Sequence, residues 1–145
     1  MGCDIHFYVE VRKDGEWKSA DKWKFDVRVQ EVFVESHTRF YTERNYDLFS
    51  ALTDGKVRSC TKFRALSKPR GLPIDLSVEV AANAKQWGSD GHSHSHFTLE
   101  ELLTVDWQRD EEWRIVTGGF VLHTLHRMRQ LGDPENVRCV FWFDN

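Results

Sequence analysis

Two groups of residues in this 145-residue chain have the types and spacing that catalysis or metal binding requires. The first is the pair Asp4 and His6, which lies in a segment of alternating apolar and polar residues, residues 3–12. Positions two apart project to the same face of a strand, so the carboxylate and the imidazole are neighbours. Such a pair can ligate a metal, or the Asp can orient the His as a general base. A solvated polar strand face is the alternative interpretation.

The second group consists of three histidines at alternate positions, His92, His94 and His96, beside Asp90. In an extended segment their imidazoles can converge, and neutral imidazole is a good ligand for zinc or another late first-row metal. Without a metal, two histidines can divide general-base and general-acid roles at a phosphoester. A flexible surface tract that binds metals adventitiously is the alternative.

We expect these groups to form one site that contains Asp4, His6, His92 and His94. These four residues are expected to be catalytic. If the reaction needs a divalent metal such as Zn or Mn, they are expected to ligate that metal. His96 and Thr98 also match one arm of the two-histidine phosphoesterases. A second arm is missing, because the residue two positions after His6 is Tyr8, which lacks the required aliphatic hydroxyl.

A third feature is a stretch without acidic residues between Asp54 and Asp75. It contains six basic residues: Lys56, Arg58, Lys62, Arg64, Lys68 and Arg70. Arginine and lysine bind phosphate oxygens well, so the stretch predicts contacts to a phosphate-bearing ligand, although a solvated loop is the alternative. The expected ligand-binding residues are Arg44, Asn45, Tyr46, Arg64, Arg70 and Trp87.

The elements that must position these residues follow from periodicity. Residues 3–12 predict a half-buried strand, Asp14-Gly15 predicts a hairpin turn, and residues 16–23 predict the returning strand. Residues 27–34 are β-rich, residues 112–116 predict a strand, and residues 137–143 predict a buried closing strand. If the first and last strands are central neighbours, Asp144 approaches Asp4 and His6.

Four helices are predicted between these strands: residues 43–53 capped by Thr42, residues 77–86, residues 99–105 with a Thr98–Glu101 capping box, and residues 119–131. Residues 88–95 predict a loop. The order of elements predicts one α+β domain over residues 1–145, with a mainly antiparallel sheet whose N- and C-terminal strands are central.

Composition excludes several classes of protein. Hydrophobic residues form 40% of the chain, which argues against disorder, and the net charge of −3 argues against binding duplex nucleic acid. No apolar stretch approaches the roughly 20 residues of a membrane span. Three widely spaced cysteines without a C-x-x-C motif argue against a disulfide framework and indicate a cytoplasmic protein.

Several blocks of sequence resemble an uncharacterised family of small proteins from bacteriophages and prophages. They are the opening Met1-Gly2-Cys3-Asp4-Ile5-His6, residues 44–49, residues 69–73 and residues 87–95. The resemblance covers nearly the whole chain and brings no established activity. It implies an aromatic residue at position 96, which leaves His92 and His94 as the firmer pair.

The resemblance and the candidate residues together predict a phosphoesterase-like hydrolase of a small nucleotide or cyclic dinucleotide. Such an enzyme would counter the nucleotide signals of host antiviral defence, and it would act in the host cytoplasm. This step is an analogy with other small viral proteins. The alternatives are a protein that sequesters the nucleotide without turnover and a protein-binding phage factor. A homo-oligomer remains open.

Overall fold

The computed structural model describes residues 2–59 and 65–145. Its main sheet contains four antiparallel strands in the order β2-β1-β6-β5. These strands are β1 (Asp4–Lys13), β2 (Glu16–Ser19), β5 (His92–Thr98) and β6 (Val137–Asp144). A separate two-stranded ribbon consists of β3 (Trp23–Asp26) and β4 (Glu31–Val34). The predicted α+β class, with the first and last strands as central neighbours, is confirmed.

Five α-helical segments accompany the strands in the described residues: α1 (Tyr46–Thr53), α2 (Val78–Trp87), α3 (Leu99–Leu103), α4 (Trp113–Val116) and α5 (His126–Arg129). A π-helical segment, Phe120–Leu125, runs directly into α5. Short 3-10 turns lie at Ser36–Thr38, Gly88–Asp90 and Pro134–Asn136. None of the described helices is long and apolar enough to cross a membrane.

The central strands are buried on both faces, which corrects the prediction that β1 is half-buried. One face of the sheet packs apolar side chains of β1 and β6 against α1, α3 and the π-helical segment. On the other face Tyr8, Val140 and Trp142 pack against Val80 and Ala84 of α2. His6, Tyr8 and Glu10 are therefore buried, whereas the Asp4 side chain at the start of the strand is half exposed.

Helix α2 also joins the ribbon to the sheet. The side chains of Asn83 and Gln86 hydrogen bond with the backbone of Val32 in β4, at distances from 2.7 to 3.1 Å. These bonds hold the ribbon beside β1 and leave a cavity between β1, α2 and the ribbon.

Three local predictions are wrong. Helix α1 begins after Asn45, whose Oδ1 accepts from Leu48 N at 3.1 Å, and not after Thr42. Residues 112–116 contain a single helical turn instead of a strand. The returning strand 16–23 is interrupted, because Ala20 and Asp21 bond back to Val9 and the chain then turns into the ribbon. The capping box of Thr98 and Glu101 is confirmed.

The segment predicted as a loop, residues 88–95, is also corrected, because His92–Thr98 pairs with β6. Glycine, serine and histidine are weak strand formers, but pairing with a buried strand overrides that preference. The pairing slips by one residue between His92 and Ser95, where Ser93 has a φ of +56°. This bulge reverses the alternation of side chains along the strand.

Candidate functional site

The central feature of the candidate site is a histidine–carboxylate pair that bridges the first and last strands. His6 lies opposite Trp142, and Asp4 lies opposite Asp144, so His6 and Asp144 are diagonal neighbours on one face. His6 Nε2 is 2.9 Å from Asp144 Oδ1. The expectation that Asp144 approaches His6 is therefore confirmed.

The chemistry of this pair defines the protonation of the imidazole. A carboxylate oxygen accepts hydrogen bonds, so His6 donates from Nε2 and its other nitrogen, Nδ1, carries the lone pair. Burial lowers the pKa of His6 below the ordinary 6.5, and the bond to Asp144 only partly opposes this shift. His6 is therefore a neutral imidazole near pH 7, in the form that a general base requires.

His6 lines a cavity of about 320 Å³. The other groups on its wall are Tyr8 of β1, Arg39, and Asn83, Gln86 and Trp87 of α2; the carboxylates of Glu31 and Asp90 border it as well. No hydrogen bond to His6 Nδ1 is found within residues 2–59 and 65–145. The cavity size is within the range of small-molecule sites, and its wall combines aromatic, amide and charged groups.

Arg39 provides a positive charge at this cavity. Its Nε donates to Val34 O at 2.9 Å, and it forms no ion pair with any described carboxylate. The two terminal nitrogens of the guanidinium can therefore hold an anion in a bidentate manner. Sequence analysis missed Arg39, since it lies in an irregular segment and matches no motif.

Aromatic rings fix the position of His6. The Trp87 ring lies 4.1 Å from the His6 ring, measured between centroids, and the Trp142 ring lies at 6.2 Å. His94 stacks on Trp142 from the β5 side at 5.8 Å. His6 and His94 thus lie on the same face of the sheet but on opposite sides of Trp142, about two strand spacings apart or roughly 10 Å.

His92 faces the other side of the sheet. It pairs with Phe143, whose side chain belongs to the apolar core of the opposite face, because the bulge at Ser93 separates it from His94. The expected convergence of three imidazoles does not occur. Within residues 2–59 and 65–145, no group of three or more His, Cys, Asp or Glu side chains is arranged to hold a metal ion. The structure therefore does not assemble the predicted ligand set Asp4, His6, His92 and His94.

Two predicted phosphate-binding arginines are paired with carboxylates. Arg44 Nε bonds to Asp4 Oδ1 at 2.6 Å, which lowers the pKa of Asp4. Arg70 bonds to Glu101 at 2.8 Å and to His96 O at 3.1 Å, with its guanidinium carbon 4.3 Å over the Phe97 ring. These contacts hold the segment that contains Arg70 against β5 and α3.

The remaining predicted ligand-binding residues have other contacts. Asn45 caps α1 and donates from Nδ2 to Val116 O. The hydroxyl of Tyr46 accepts from Cys3 N at 3.2 Å. Among the described residues of this set, Trp87 alone lines the His6 cavity. The prediction for Arg64 lies outside the described residues.

Comparison with known proteins gives no match to a family model, a curated protein or a solved structure. The resemblance to a phage family therefore stays a prediction.

Proposed function

We propose that the chain binds a small phosphate-bearing ligand of nucleotide size in the His6 cavity and hydrolyses it with His6 as general base. The observation that carries this proposal is the His6–Asp144 pair at 2.9 Å, with the neutral imidazole on the wall of a cavity that also contains Arg39. Neutral imidazole beside an arginine suits attack of water on a phosphoester.

In the proposed reaction His6 Nδ1 takes a proton from a water molecule as the water oxygen bonds to phosphorus. The bond from phosphorus to the leaving oxygen breaks, and Arg39 stabilises the charge that develops on the phosphoryl oxygens. Burial raises the pKa of Tyr8 to about 12, so Tyr8 keeps its proton at neutral pH. Tyr8 lines the same cavity and supplies the proton that the leaving oxygen takes up.

The cavity also offers groups that suit the rest of a nucleotide. Trp87 provides an aromatic surface for a base. The carboxylates of Glu31 and Asp90 accept hydrogen bonds from hydroxyl or amino groups. The resemblance to phage proteins supports a role against the nucleotide signals of host defence, in the host cytoplasm.

A second candidate function is sequestration of the same ligand without turnover. It is favoured by the Trp87 ring, which covers the His6 ring at 4.1 Å and is suited to stacking. Both functions use the same cavity, and they differ in whether the ligand is recovered intact after the protein is denatured by heat.

The test is a panel of linear and cyclic nucleotides, in which binding is followed by thermal shift and turnover by ³¹P NMR. We expect Arg39→Gln to weaken binding by about 1.5–3 kcal/mol, the value of one charge-assisted contact. The matched control is Arg44→Gln, which alters an arginine already paired with Asp4 and should leave affinity unchanged.

Each outcome has a defined meaning. Turnover that depends on Arg39 supports the hydrolase. Binding that depends on Arg39 without any product supports sequestration and contradicts the hydrolase. No thermal shift with any nucleotide contradicts both functions and favours a protein-binding factor.

A further inference from the structure

A second cavity lies at the end of the sheet where β1 and β5 begin and β6 ends. Its volume is about 360 Å³, and it is lined by Lys56, Val57, Arg58, His92 and Asn145. We call it the basic cavity, because it has two cationic side chains and none of these lining residues is acidic. None of the described residues lines both this cavity and the His6 cavity.

The turn that carries the two cations is held rigidly after α1. Val57 is buried, and its N–H donates to Thr53 Oγ1 at 3.0 Å. Lys56 N donates to Thr53 O at 3.1 Å. Lys56 and Arg58 therefore flank a fixed residue, so little backbone entropy is lost when both contact one ligand.

Arg58 is positioned by an aromatic ring as well. Its guanidinium carbon lies 4.6 Å from the centroid of Tyr46, and its backbone has a φ of +55°. The Tyr46 hydroxyl is bonded in turn to Cys3 N, at the start of the central strand. This contact directs the arginine toward the sheet end.

His92 contributes a third group on the opposite wall. Its Nε2 lies 3.2 Å from Asn145 Oδ1, and its Nδ1 lies 3.1 Å from Ser93 Oγ. The bulge at Ser93, which removes His92 from the other histidines, brings it to this cavity.

Two carboxylates at this end of the sheet are engaged in ion pairs. Asp4 is paired with Arg44, and Asp144 is paired with His6. Lysine, arginine and imidazole are the side chains that most often contact phosphate oxygens.

We propose that the basic cavity binds a phosphate group. This assigns a role to Lys56 and Arg58 at the beginning of the acid-free stretch. The proposal is independent of the His6 chemistry, since the two cavities have different walls.

The test is a titration of the full chain at low ionic strength with inorganic phosphate and separately with a mononucleotide, followed by the imidazole NMR signals of His92. We expect saturable shifts of these signals, and about a 10-fold weaker affinity in Lys56→Gln. The matched control is Lys68→Gln, which removes an exposed charge from the same acid-free stretch and should change nothing.

The two ligands distinguish a site for free phosphate from a site for the phosphate group of a larger ligand. Shifts with inorganic phosphate identify a free-anion site, and shifts with the nucleotide alone identify a site for the phosphate of a larger ligand. Absence of His92 shifts with either ligand overturns the proposal. Equal affinity in wild type and Lys56→Gln overturns it as well, as does a response that is lost in Arg39→Gln, because that response would originate in the other cavity.

Discussion

Two polar pairs bridge the same two strands on the same face of the sheet, and they differ in how completely their hydrogen-bonding capacity is used. At one end Arg138 Nε donates to Glu10 Oε1 at 2.7 Å, and Ser77 N donates to Glu10 Oε2 at 2.6 Å. Arg138 also bonds to Asp75 at 2.9 Å, and its guanidinium carbon lies 4.0 Å from the Trp17 ring. Both carboxylate oxygens of Glu10 are thus satisfied within the protein.

At the other end, the His6–Asp144 pair uses one ring nitrogen of His6, and the same residue borders a cavity. A buried polar group that keeps an unused acceptor is costly unless a ligand or water uses it. The comparison indicates that the Glu10–Arg138 pair is structural, whereas the His6–Asp144 pair is the one to which we assign a role in the proposed reaction.

The largest expected effect on stability is at the structural pair. Arg138→Met removes the partner of a fully buried carboxylate and should lower the free energy of unfolding by about 3–5 kcal/mol. Guanidinium denaturation measures this change. Lys24→Met, which breaks the exposed ion pair with Glu35, is the control and should change little. A small effect of Arg138→Met would mean that the two pairs do not differ as described.

The His6–Asp144 pair should show the reverse pattern. Asp144→Asn allows the amide to donate to Nε2, which favours the wrong tautomer of His6. We expect turnover of a hydrolysed nucleotide to fall by about 10²–10⁴-fold while the affinity and the unfolding midpoint change little. Steady-state kinetics measure the turnover, and denaturation measures the unfolding midpoint. Wild-type turnover in Asp144→Asn would contradict the role of Asp144 in the proposed mechanism.

A third buried carboxylate sharpens the contrast with Glu10. Asp21 accepts from Val9 N at 2.8 Å, but its Oδ1 is buried without a partner in the described structure. Burial raises its pKa to about 7 from an ordinary 3.8. Between these values the unfolded chain loses the proton and the folded chain keeps it, so this group lowers stability as the pH rises from 4 to 7.

Asp21→Asn removes the charge and keeps an acceptor for Val9 N. We therefore expect the variant to be more stable than wild type at pH 8 by about 1–3 kcal/mol, and similar to wild type at pH 4. Denaturation curves at both pH values test this. The same difference at both pH values would show that the proton is not involved.

The smallest expected change in stability is at Asn45, which sequence analysis predicted to bind the ligand. Asn45→Ala removes the cap of α1 and should lower the free energy of unfolding by about 1 kcal/mol. Ligand affinity should stay unchanged, as judged by thermal shift. Asn45→Asp keeps the cap oxygen but loses the donor to Val116 O, so it should be intermediate. A loss of ligand affinity in either variant would show that Asn45 belongs to the binding site.

The framework of the fold could be predicted because strict alternation and capping are local signals. The alternation over residues 3–12 predicted β1, and the Thr98–Glu101 pair predicted the start of α3. The burial of both faces of β1 could not be predicted, since Asp4, His6, Tyr8 and Glu10 read as a polar face.

The site could be predicted only in part, for the same reason. His6 and its approach to Asp144 followed from strand geometry. The bulge at Ser93 depends on tertiary contacts, such as Gly71 N to His94 O at 2.8 Å, and it separates His92 from His94. Charge alone suggested Arg70, but a sequence does not reveal that Glu101 neutralises it.

The most direct test of the central claim compares two histidines on the same sheet face. His6 contacts Asp144 and lines the cavity, whereas His94 stacks on the same Trp142 and does not line it. Turnover by His6→Gln and His94→Gln is measured by ³¹P NMR from pH 5 to pH 9 on a nucleotide that the wild type cleaves. We predict that His6→Gln loses about 10²–10⁴-fold in turnover together with the acid limb of the pH profile, while His94→Gln retains both. Equal activity of the two variants, or an acid limb that survives in His6→Gln, would contradict the assignment of His6 as the general base.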